Sequence, residues 1–332
     1  MLSSVKAPGT GGASVGGRRL TSTVPREYVH RASVAEVFLT GWEADAAASL
    51  DSFVVHAQWP RSHALFAPAA GHQDPLLLIE SIRQTGSLLA HAEYGVPFGH
   101  QFLMWDISFD ATAAALAVDP APTDVELHTV CHDIVRRGTS LAGMRYTVSV
   151  RRDGQPVATG SARFSCANPT VHRRLRGERP TTTGRTLPVP VDSAEVGHAS
   201  PRHVLLAVPA TVGEARWELR VDTSHPVYFD HPVDHVPGML LIEAARQAAR
   251  AVTRRPGAVL LGLEAEFTRY AELDVPCWIQ ARVERADSAG DLRVHVRGIQ
   301  RDEQVFAAEM VLSTSERPSM SHRPENLACA PF

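Results

Sequence analysis

The chain has 332 residues, of which 44% are hydrophobic and 21% are charged, and its formal net charge is -3 at pH 7. This composition is typical of a globular protein long enough for two domains, and it excludes an overall basic field for nucleic acid or an anionic membrane. The four cysteines are scattered without a Cys-x-x-Cys motif. We therefore expect no metal site, reduced thiols and a cytoplasmic protein.

The two ends of the chain differ from the rest. Residues 1–25 are rich in Gly, Ser and Thr without an apolar stretch of signal-peptide length, and residues 316–332 are polar and interrupted by proline. We predict a flexible leader and a flexible tail. No apolar run is long enough to predict a membrane-spanning helix.

Residues 26–166 predict a first domain with one strand, one long helix and four further strands. FVVHAQW at 53–59 predicts the first strand, and Asp74-Pro75 supplies an N-cap and a first-turn proline for the helix LLLIESIRQTGSLLAHAEYG. β-Branched runs or period-two alternation follow near 101–109, 126–135, 144–151 and 156–166.

Residues 203–315 predict a second domain with the same order. A strand in WELRVDT and a helix from Pro237 precede strands near 259–267, 277–284, 292–298 and 305–312. Residues 167–202 predict a linker with a cluster of basic residues, namely Arg173, Arg174, Arg176, Arg179 and Arg185. These arginines are expected to be a solvated surface run or, alternatively, a contact for an acidic carrier protein or a phosphate.

A thirteen-residue match shows that the chain contains an internal duplication. HQDPLLLIESIRQ at 72–84 recurs as HVPGMLLIEAARQ at 235–247 with seven identical positions. One long helix followed by an antiparallel meander is the plan of the hotdog fold, in which a sheet curls around the helix. We predict an α+β chain of two hotdog domains that form an intramolecular pseudo-dimer through a shared sheet, as a monomer or within a homodimer.

Both copies place charged and polar groups on one face of an otherwise apolar helix. At the spacing i, i+3, i+4 these are Glu80, Arg83 and Gln84 in the first copy and Glu243, Arg246 and Gln247 in the second. An ion in such surroundings costs on the order of several kcal/mol unless it is paired or lines a wet cleft. The groups are therefore either ion pairs that hold the halves together or the lining of a substrate channel between them. Their recurrence beside a His- and Pro-rich loop favours the channel.

Two families resemble this chain. FDHPVDHVPGMLLIEAARQAA at 229–249 resembles the loop and helix of hotdog acyl-carrier dehydratases, in which a loop His and a helix Glu do acid/base work. The chain is more similar to the A-factor synthase (AfsA-type) family of γ-butyrolactone biosynthesis, from about residue 29 to about residue 314. The segments that carry this similarity are VHRASVAEVFLTGW, AQWPRSH, DPLLLIESIRQ, LLAHAEYGVPFGHQFLMWD and DTSHPVYFDHPVDHVPGMLLIEAARQ.

The resemblance implies an acyltransferase. It would join a β-ketoacyl group, delivered as an acyl-carrier-protein thioester, to a hydroxyl of dihydroxyacetone phosphate. The functional Glu and Arg positions of the family fall on Glu80, Arg83, Glu243 and Arg246. The sequence shows no nucleotide-binding loop or metal-ligand cluster, so we predict no cofactor and no metal. A hotdog dehydratase or thioesterase, or a non-catalytic acyl-binding regulator, remains an alternative.

The residue types suit this reaction. A Glu whose pKa is raised by apolar walls can take the hydroxyl proton, which contributes about 10²- to 10⁴-fold, and Glu243 with its counterpart Glu80 is our candidate base. Arg83 or Arg246 would bind the phosphate through a planar fork, with Gln84 and Gln247 as further substrate-binding groups. The helix start at Gly238 would offer backbone N–H groups to the thioester oxygen.

The arginines and two loop histidines bear on the substrate and on the acid/base group. The dehydratase helix has a small apolar residue three positions after its Glu, so an Arg there favours an anionic second substrate. His231 lies near the place of the dehydratase His but after a shorter loop, and the first copy has Pro68 at that offset. An acid/base role and a hydrogen-bonding role both stay open for His231. His235 is expected to orient the helix start or to contact substrate.

Overall fold

The computed structural model describes residues 21–313 apart from 46, 49, 212 and 285–289, together with the backbone of two short strands, β1 (Ser14–Val15) and β2 (Arg18–Arg19). The two strands pair with each other. The predicted tail, 316–332, and most of the predicted leader, 1–25, lie outside the described residues.

The first half contains one long helix and six strands. Its elements are β3 (Leu39–Ala44), β4 (Ser52–Trp59), α1 (Pro75–Ala92), β5 (Gln101–Ala111), β6 (Thr123–Arg137), β7 (Ser140–Arg152) and β8 (Gln155–Ala167). Helix α1 begins where the sequence predicts, because the Asp74 side chain accepts a hydrogen bond from the Leu76 N–H at 2.9 Å and Pro75 fills the first turn.

The second half has the same plan with shorter strands. The elements that follow β8 are α2 (Pro169–Arg176), β9 (Arg216–Glu218), α3 (Gly238–Thr253), β10 (Leu260–Phe267), β11 (Trp278–Val283), β12 (Leu292–Gln300) and β13 (Glu303–Leu312). Residues 167–202 are more ordered than a plain linker, since they form α2 and bury Val191 and Val196.

Strands β3 to β13 form a single eleven-stranded sheet. Its order is β3-β4-β6-β7-β8-β5-β10-β13-β12-β11-β9, and the halves meet where β5 and β10 pair antiparallel, from Asp110↔Gly262 to Asp106↔Glu266. Outward from this junction the two halves repeat the same strand order, so a pseudo-twofold axis relates them. The predicted pair of hotdogs with a shared sheet is confirmed.

Helix α1 packs so closely on the sheet that one contact requires a glycine. A Cβ atom at Gly86 would lie 2.6 Å from the ring of Tyr146, which is itself 1% exposed. The Tyr146 hydroxyl donates to the Ile82 carbonyl oxygen at 2.7 Å and so ties the strand to the helix backbone. Within the described residues, no helix combines the length and apolarity needed to cross a membrane.

Candidate functional site

The first set of charged groups surrounds Glu80, whose side chain is fully buried. Arg83 donates to both carboxylate oxygens at 2.7 and 2.8 Å, and Gln84 donates to Oε1 at 2.8 Å. Arg31, which precedes the first strand of the large sheet, adds hydrogen bonds to Oε1 at 2.6 and 3.0 Å. One carboxylate therefore binds two guanidinium groups and an amide.

A loop of the second half completes the first set. The Arg31 Nη1 donates to the Val227 carbonyl oxygen at 3.3 Å and lies 3.8 Å from Oδ1 of Asp230. Asp230 also accepts from the Ala32 N–H at 2.8 Å and from Nδ1–H of His231 at 2.5 Å. The His231 side chain is 44% exposed. A network of hydrogen bonds and one 3.8 Å ion pair thus runs from a buried carboxylate in one half to an accessible imidazole in the other.

The second set surrounds Glu243, which is also fully buried. His198 donates from Nε2 to Glu243 Oε1 at 2.7 Å, Gln247 donates to the same oxygen at 2.9 Å, and Arg246 Nη2 lies 2.6 Å from Oε2. Arg246 also donates to both oxygens of Asp74, across the two halves, at 2.7 and 3.0 Å. This arginine is therefore clamped between two carboxylates.

The two sets occupy equivalent places in the duplicated fold. In each, the Gln accepts a backbone hydrogen bond from the segment that supplies the additional hydrogen-bond donor to the Glu. The bonds run from Phe38 N–H to Gln84 at 3.1 Å and from Leu205 N–H to Gln247 at 2.8 Å. This equivalence places His198 where the first set has Arg31. The helix repeat likewise places Pro237 where the other helix has Asp74.

Both glutamates ionise more readily than an ordinary carboxyl. Burial raises the pKa of Glu80, but attraction to Arg31 and Arg83 outweighs burial and lowers this pKa to about 2. Burial likewise raises the pKa of Glu243, and Arg246 and His198 lower it to about 2. The expected raised pKa is therefore wrong, because cationic partners more than offset the loss of hydration. Such a carboxylate is charged near neutral pH and is a weak base.

The two arginines differ in their access to solvent. The Arg83 side chain is 19% exposed, whereas that of Arg246 is 2% exposed. Within the part of the chain that the structure describes, Nη1 of Arg83 makes no hydrogen bond, while both Nη atoms of Arg246 bond to Asp74. Since Pro237 stands at the equivalent place before α3, that position brings no carboxylate to Arg83. The ion-pair interpretation therefore describes the second set better than the first.

The remaining predicted residues lie at the start of α3. His235 donates from Nδ1 to Asp234 at 2.7 Å, and its side chain is 30% exposed. Gly238 is the first residue of α3, and the preceding Pro237 provides no side-chain cap. A Cβ at Gly238 would lie 3.2 Å from the Phe267 ring, so the sheet approaches the helix start closely.

A groove of about 660 Å³ lies over the β5–β10 junction, where Ser108, Thr147 and Arg293 line it. None of the six predicted Glu, Arg and Gln residues belongs to this groove. Across the described ranges, no three His, Cys, Asp or Glu side chains come together in a way that would hold a metal ion.

The groups that enter each set from outside the central helices were not predicted as site residues. These are Arg31, Asp74, His198 and Asp230. A second repeat could have located two of them, because HRASVAEVFL at 30–39 and GHASPRHVLL at 197–206 share four identities and align Arg31 with His198. Asp74 was predicted only as a helix cap, and its contact across the halves has no local sequence signal.

The shared sheet and the two equivalent sets of charged groups define a double-hotdog protein, and sequence comparison agrees with that class. The family described as "A-factor biosynthesis hotdog domain" matches residues 13–168 and 181–316. A solved structure described as an oleoyl thioesterase from Lactobacillus plantarum aligns with a TM-score of 0.51 at 14% identity. The alignment covers 82% of this chain and 99% of that chain, and it supports the fold alone.

Relatives that align with most of the chain identify one family within this class. A Streptomyces virginiae protein named 2-oxo-3-(phosphooxy)propyl 3-oxoalkanoate synthase is 53% identical over 289 residues, which cover 87% of this chain and 97% of that protein. A protein of the same name from Streptomyces coelicolor is 40% identical over 302 residues, covering 90% and 92%. The chain belongs to the A-factor biosynthesis hotdog family, and the resemblance inferred from its motifs is confirmed.

Proposed function

We propose that this chain transfers a β-ketoacyl group from an acyl-carrier protein to dihydroxyacetone phosphate, in the first committed step of γ-butyrolactone signal biosynthesis. The product would be a 2-oxo-3-(phosphooxy)propyl 3-oxoalkanoate, the ester that the shared name of the relatives describes. The observation that carries the proposal is the 53% identity across 97% of the Streptomyces virginiae protein. The proposed transfer includes no cofactor.

The first set offers what a phosphorylated acceptor needs. A phosphate dianion is bound well by a planar guanidinium, at about 1.5–3 kcal/mol for each charge-assisted hydrogen bond. Arg83 is partly exposed and keeps Nη1 outside its hydrogen bonds to Glu80 and Val29. We therefore assign the acceptor phosphate to Arg83.

Glu80 is better suited to position Arg83 than to remove a proton. An efficient general base has a pKa near the working pH, and the pKa of Glu80 is lowered to about 2. It accepts hydrogen bonds from Arg31, Arg83 and Gln84, and the first two fix the direction of both guanidinium groups. We propose that Glu80 acts through Arg83 and does not itself take the hydroxyl proton.

Helix α2 is the proposed contact for the carrier protein. Arg173, Arg174 and Leu175 face solvent on this helix, and Leu175 is 75% exposed. Charged helices of an acidic carrier would be attracted to the two arginines, while the leucine adds apolar contact area.

Arg176 fixes α2 beside the start of α3. Its guanidinium donates to Glu272 at 2.7 and 3.0 Å and to Asp234 at 3.1 Å, and it stacks 3.9 Å from the centre of the Tyr270 ring. Asp234 in turn bonds to His235, three residues before α3 begins. The exposed arginines therefore lie on an element that is anchored at the loop before α3.

Charge reversal tests this contact. Arg173→Glu with Arg174→Glu should raise KM for the carrier-bound thioester about tenfold and leave KM for a short free thioester unchanged. Arg151→Glu with Arg254→Glu makes the same change in charge at exposed positions on β7 and just after α3. Equal effects of the two double variants would contradict a carrier site on α2.

The function itself is tested with purified protein, a β-ketoacyl-carrier thioester and dihydroxyacetone phosphate. We expect thiol release that depends on the acceptor, and a phosphorylated ester detected by mass spectrometry. Thiol release without the acceptor would instead indicate a thioesterase, and loss of water from a hydroxyacyl thioester would indicate a dehydratase. Binding of the thioester without any turnover would indicate an acyl-binding regulator.

A further inference from the structure

We infer that only the first of the two pseudo-equivalent sets is a reaction centre, with His231 as its general base and Asp230 and Arg31 as positioning residues. The second set, around Glu243 and Arg246, is a sealed structural connection between the halves. This inference rests on the proposed function and deepens it, because it names the centre and the group that moves the proton.

Access of the two arginines distinguishes the sets. Arg246 is 2% exposed, and two carboxylates, Glu243 and Asp74, neutralise it within 3.0 Å. An incoming phosphate would have to displace one of them from a buried position. Arg83 is 19% exposed and its hydrogen bonds leave Nη1 unused among the described residues. Only the first set can therefore take an anion without breaking a buried pair.

The N-termini of α1 and α3 also distinguish the two sets, and they too favour the first set as the reaction centre. Asp74 caps α1 by accepting from Leu76, and Pro75 has no N–H to offer. Asp74 lies against Arg246, so the pseudo-twofold axis directs the start of α3, at Gly238, towards the first set. That start has no side-chain cap. Its backbone N–H groups and the positive end of the helix dipole suit a thioester oxygen or a phosphate, as supporting contacts for Arg83.

The first set also has an oriented imidazole. Asp230 accepts from Nδ1–H of His231 at 2.5 Å, so the neutral ring keeps an unprotonated Nε2 that can accept a proton. The Ala32 N–H at 2.8 Å and Arg31 hold Asp230 in place. Burial raises the pKa of Asp230, but the bond to His231 and the charge of Arg31 lower it further than burial raises it. The carboxylate therefore stays charged and keeps the ring in this tautomer.

The second set has no counterpart to His231. The equivalent loop position is Pro68, which has no acid/base group. His198 does bond to Glu243, but its side chain is only 9% exposed. His198 occupies the place of Arg31, so it supplies a hydrogen bond to a buried carboxylate in place of a guanidinium.

The proposed step is a direct acyl transfer. The acceptor hydroxyl oxygen attacks the thioester carbonyl carbon while its proton moves to Nε2 of His231. The C–O bond forms, the C–S bond breaks, and the proton then passes from His231 to the sulfur of the carrier's thiol. The products are the phosphorylated β-ketoester and the free carrier thiol, and no oxidant or reductant is needed.

Paired substitutions in the two sets test the inference with the full chain. His231→Ala should lower kcat by about 10²- to 10⁴-fold with little change in KM, and added imidazole should restore part of the turnover. Arg83→Lys should raise KM for dihydroxyacetone phosphate about tenfold or more. His198→Ala, in contrast, should lower the melting temperature but leave kcat and KM of the folded protein within about threefold of wild type.

The kinetics of these variants show which set is the reaction centre and whether Arg83 binds the phosphate. Loss of turnover in His198→Ala with full turnover in His231→Ala would place the centre in the second set and overturn the inference. An unchanged acceptor KM in Arg83→Lys would overturn the assignment of the phosphate. If His198→Ala does not fold, His198→Gln keeps a donor for Glu243 and takes its place. A wild-type chain that forms no ester at all refutes the proposed function itself.

Discussion

Replacing Asp74 with asparagine isolates the charge of the carboxylate that joins the two halves at Arg246. Asparagine caps a helix about as well as aspartate, so the start of α1 at Leu76 keeps its hydrogen bond. The change removes the negative charge and replaces one acceptor oxygen with an amide NH2 group, in a pair whose side chains are 7% and 2% exposed. The effect on stability therefore reports the buried ion pair and not the helix cap.

The expected loss of stability follows from the contacts that Arg246 keeps. Removing one partner of a buried ion pair costs about 3–5 kcal/mol, because the other charge stays buried. Glu243 still lies 2.6 Å from Arg246 Nη2, so we expect the lower end of this range. A loss of about 3 kcal/mol corresponds to a melting temperature lower by about 6 °C at about 2 °C per kcal/mol.

A second pair in the same protein provides the matched control. Arg145 donates to both oxygens of Asp106 at 2.9 and 3.1 Å, as Arg246 does to Asp74, and Arg163 lies 2.9 Å from the same carboxylate, but the Asp106 side chain is 24% exposed. Asp106→Asn should cost about 0–1 kcal/mol, since solvent screens this pair. Urea unfolding and thermal melting of both variants give the comparison. Equal losses in Asp74→Asn and Asp106→Asn would refute the role assigned to burial.

Three further predictions concern pH and packing. Glu80 and Glu243 have pKa values lowered to about 2 from an ordinary value of 4.5. Their ionised forms therefore stabilise the folded protein fully above pH 4.5, and this contribution is lost as the pH falls towards 2. A melting temperature that stays constant between these pH values would contradict the prediction. Tyr228→Phe should be neutral or stabilise by up to about 1 kcal/mol, because the buried hydroxyl has no hydrogen-bond partner among the described residues, and a clear loss in urea unfolding would argue otherwise. Gly86→Ala should destabilise the protein despite the better helix propensity of alanine, because its Cβ would lie 2.6 Å from Tyr146 and overpacking costs about 1–3 kcal/mol. Gly257→Ala is the control, since a Cβ there meets nothing within 4 Å. Equal melting temperatures of the two variants would refute the packing argument.

The sequence predicted the architecture because both halves carry strong local signals. Asp74-Pro75 marks the start of α1, and alternating runs mark β5 to β8 and β10 to β13 to within a few residues. The short strand β3 and the helix α2 were not predicted. Helix α2 follows a capping asparagine, Asn168, but its residues are mostly polar, and Arg176 binds it to Asp234 and Glu272. Contacts of this kind leave no periodic pattern in a sequence.

The chemistry of the site was predicted less well than its position. The Glu, Arg and Gln face of each helix was identified, but the direction of the glutamate pKa shift was wrong. Burial was inferred correctly, while Arg31 reaches Glu80 from 49 residues away and its contribution could not be counted. The link from Asp230 to Arg31 spans nearly 200 residues and depends on how the halves pair. Electrostatics is set by such distant contacts, which local patterns do not record.

Both hotdogs belong to one polypeptide, and the pairing of β5 with β10 joins their sheets. In an assembly of two identical subunits, every substitution would appear twice, so an aspartate before one helix could never face a proline before the other. Joining the copies removes that constraint. Positions 74 and 237 could then diverge in sequence. One interface could become a structural ion-pair connection while the equivalent interface stayed accessible to small molecules.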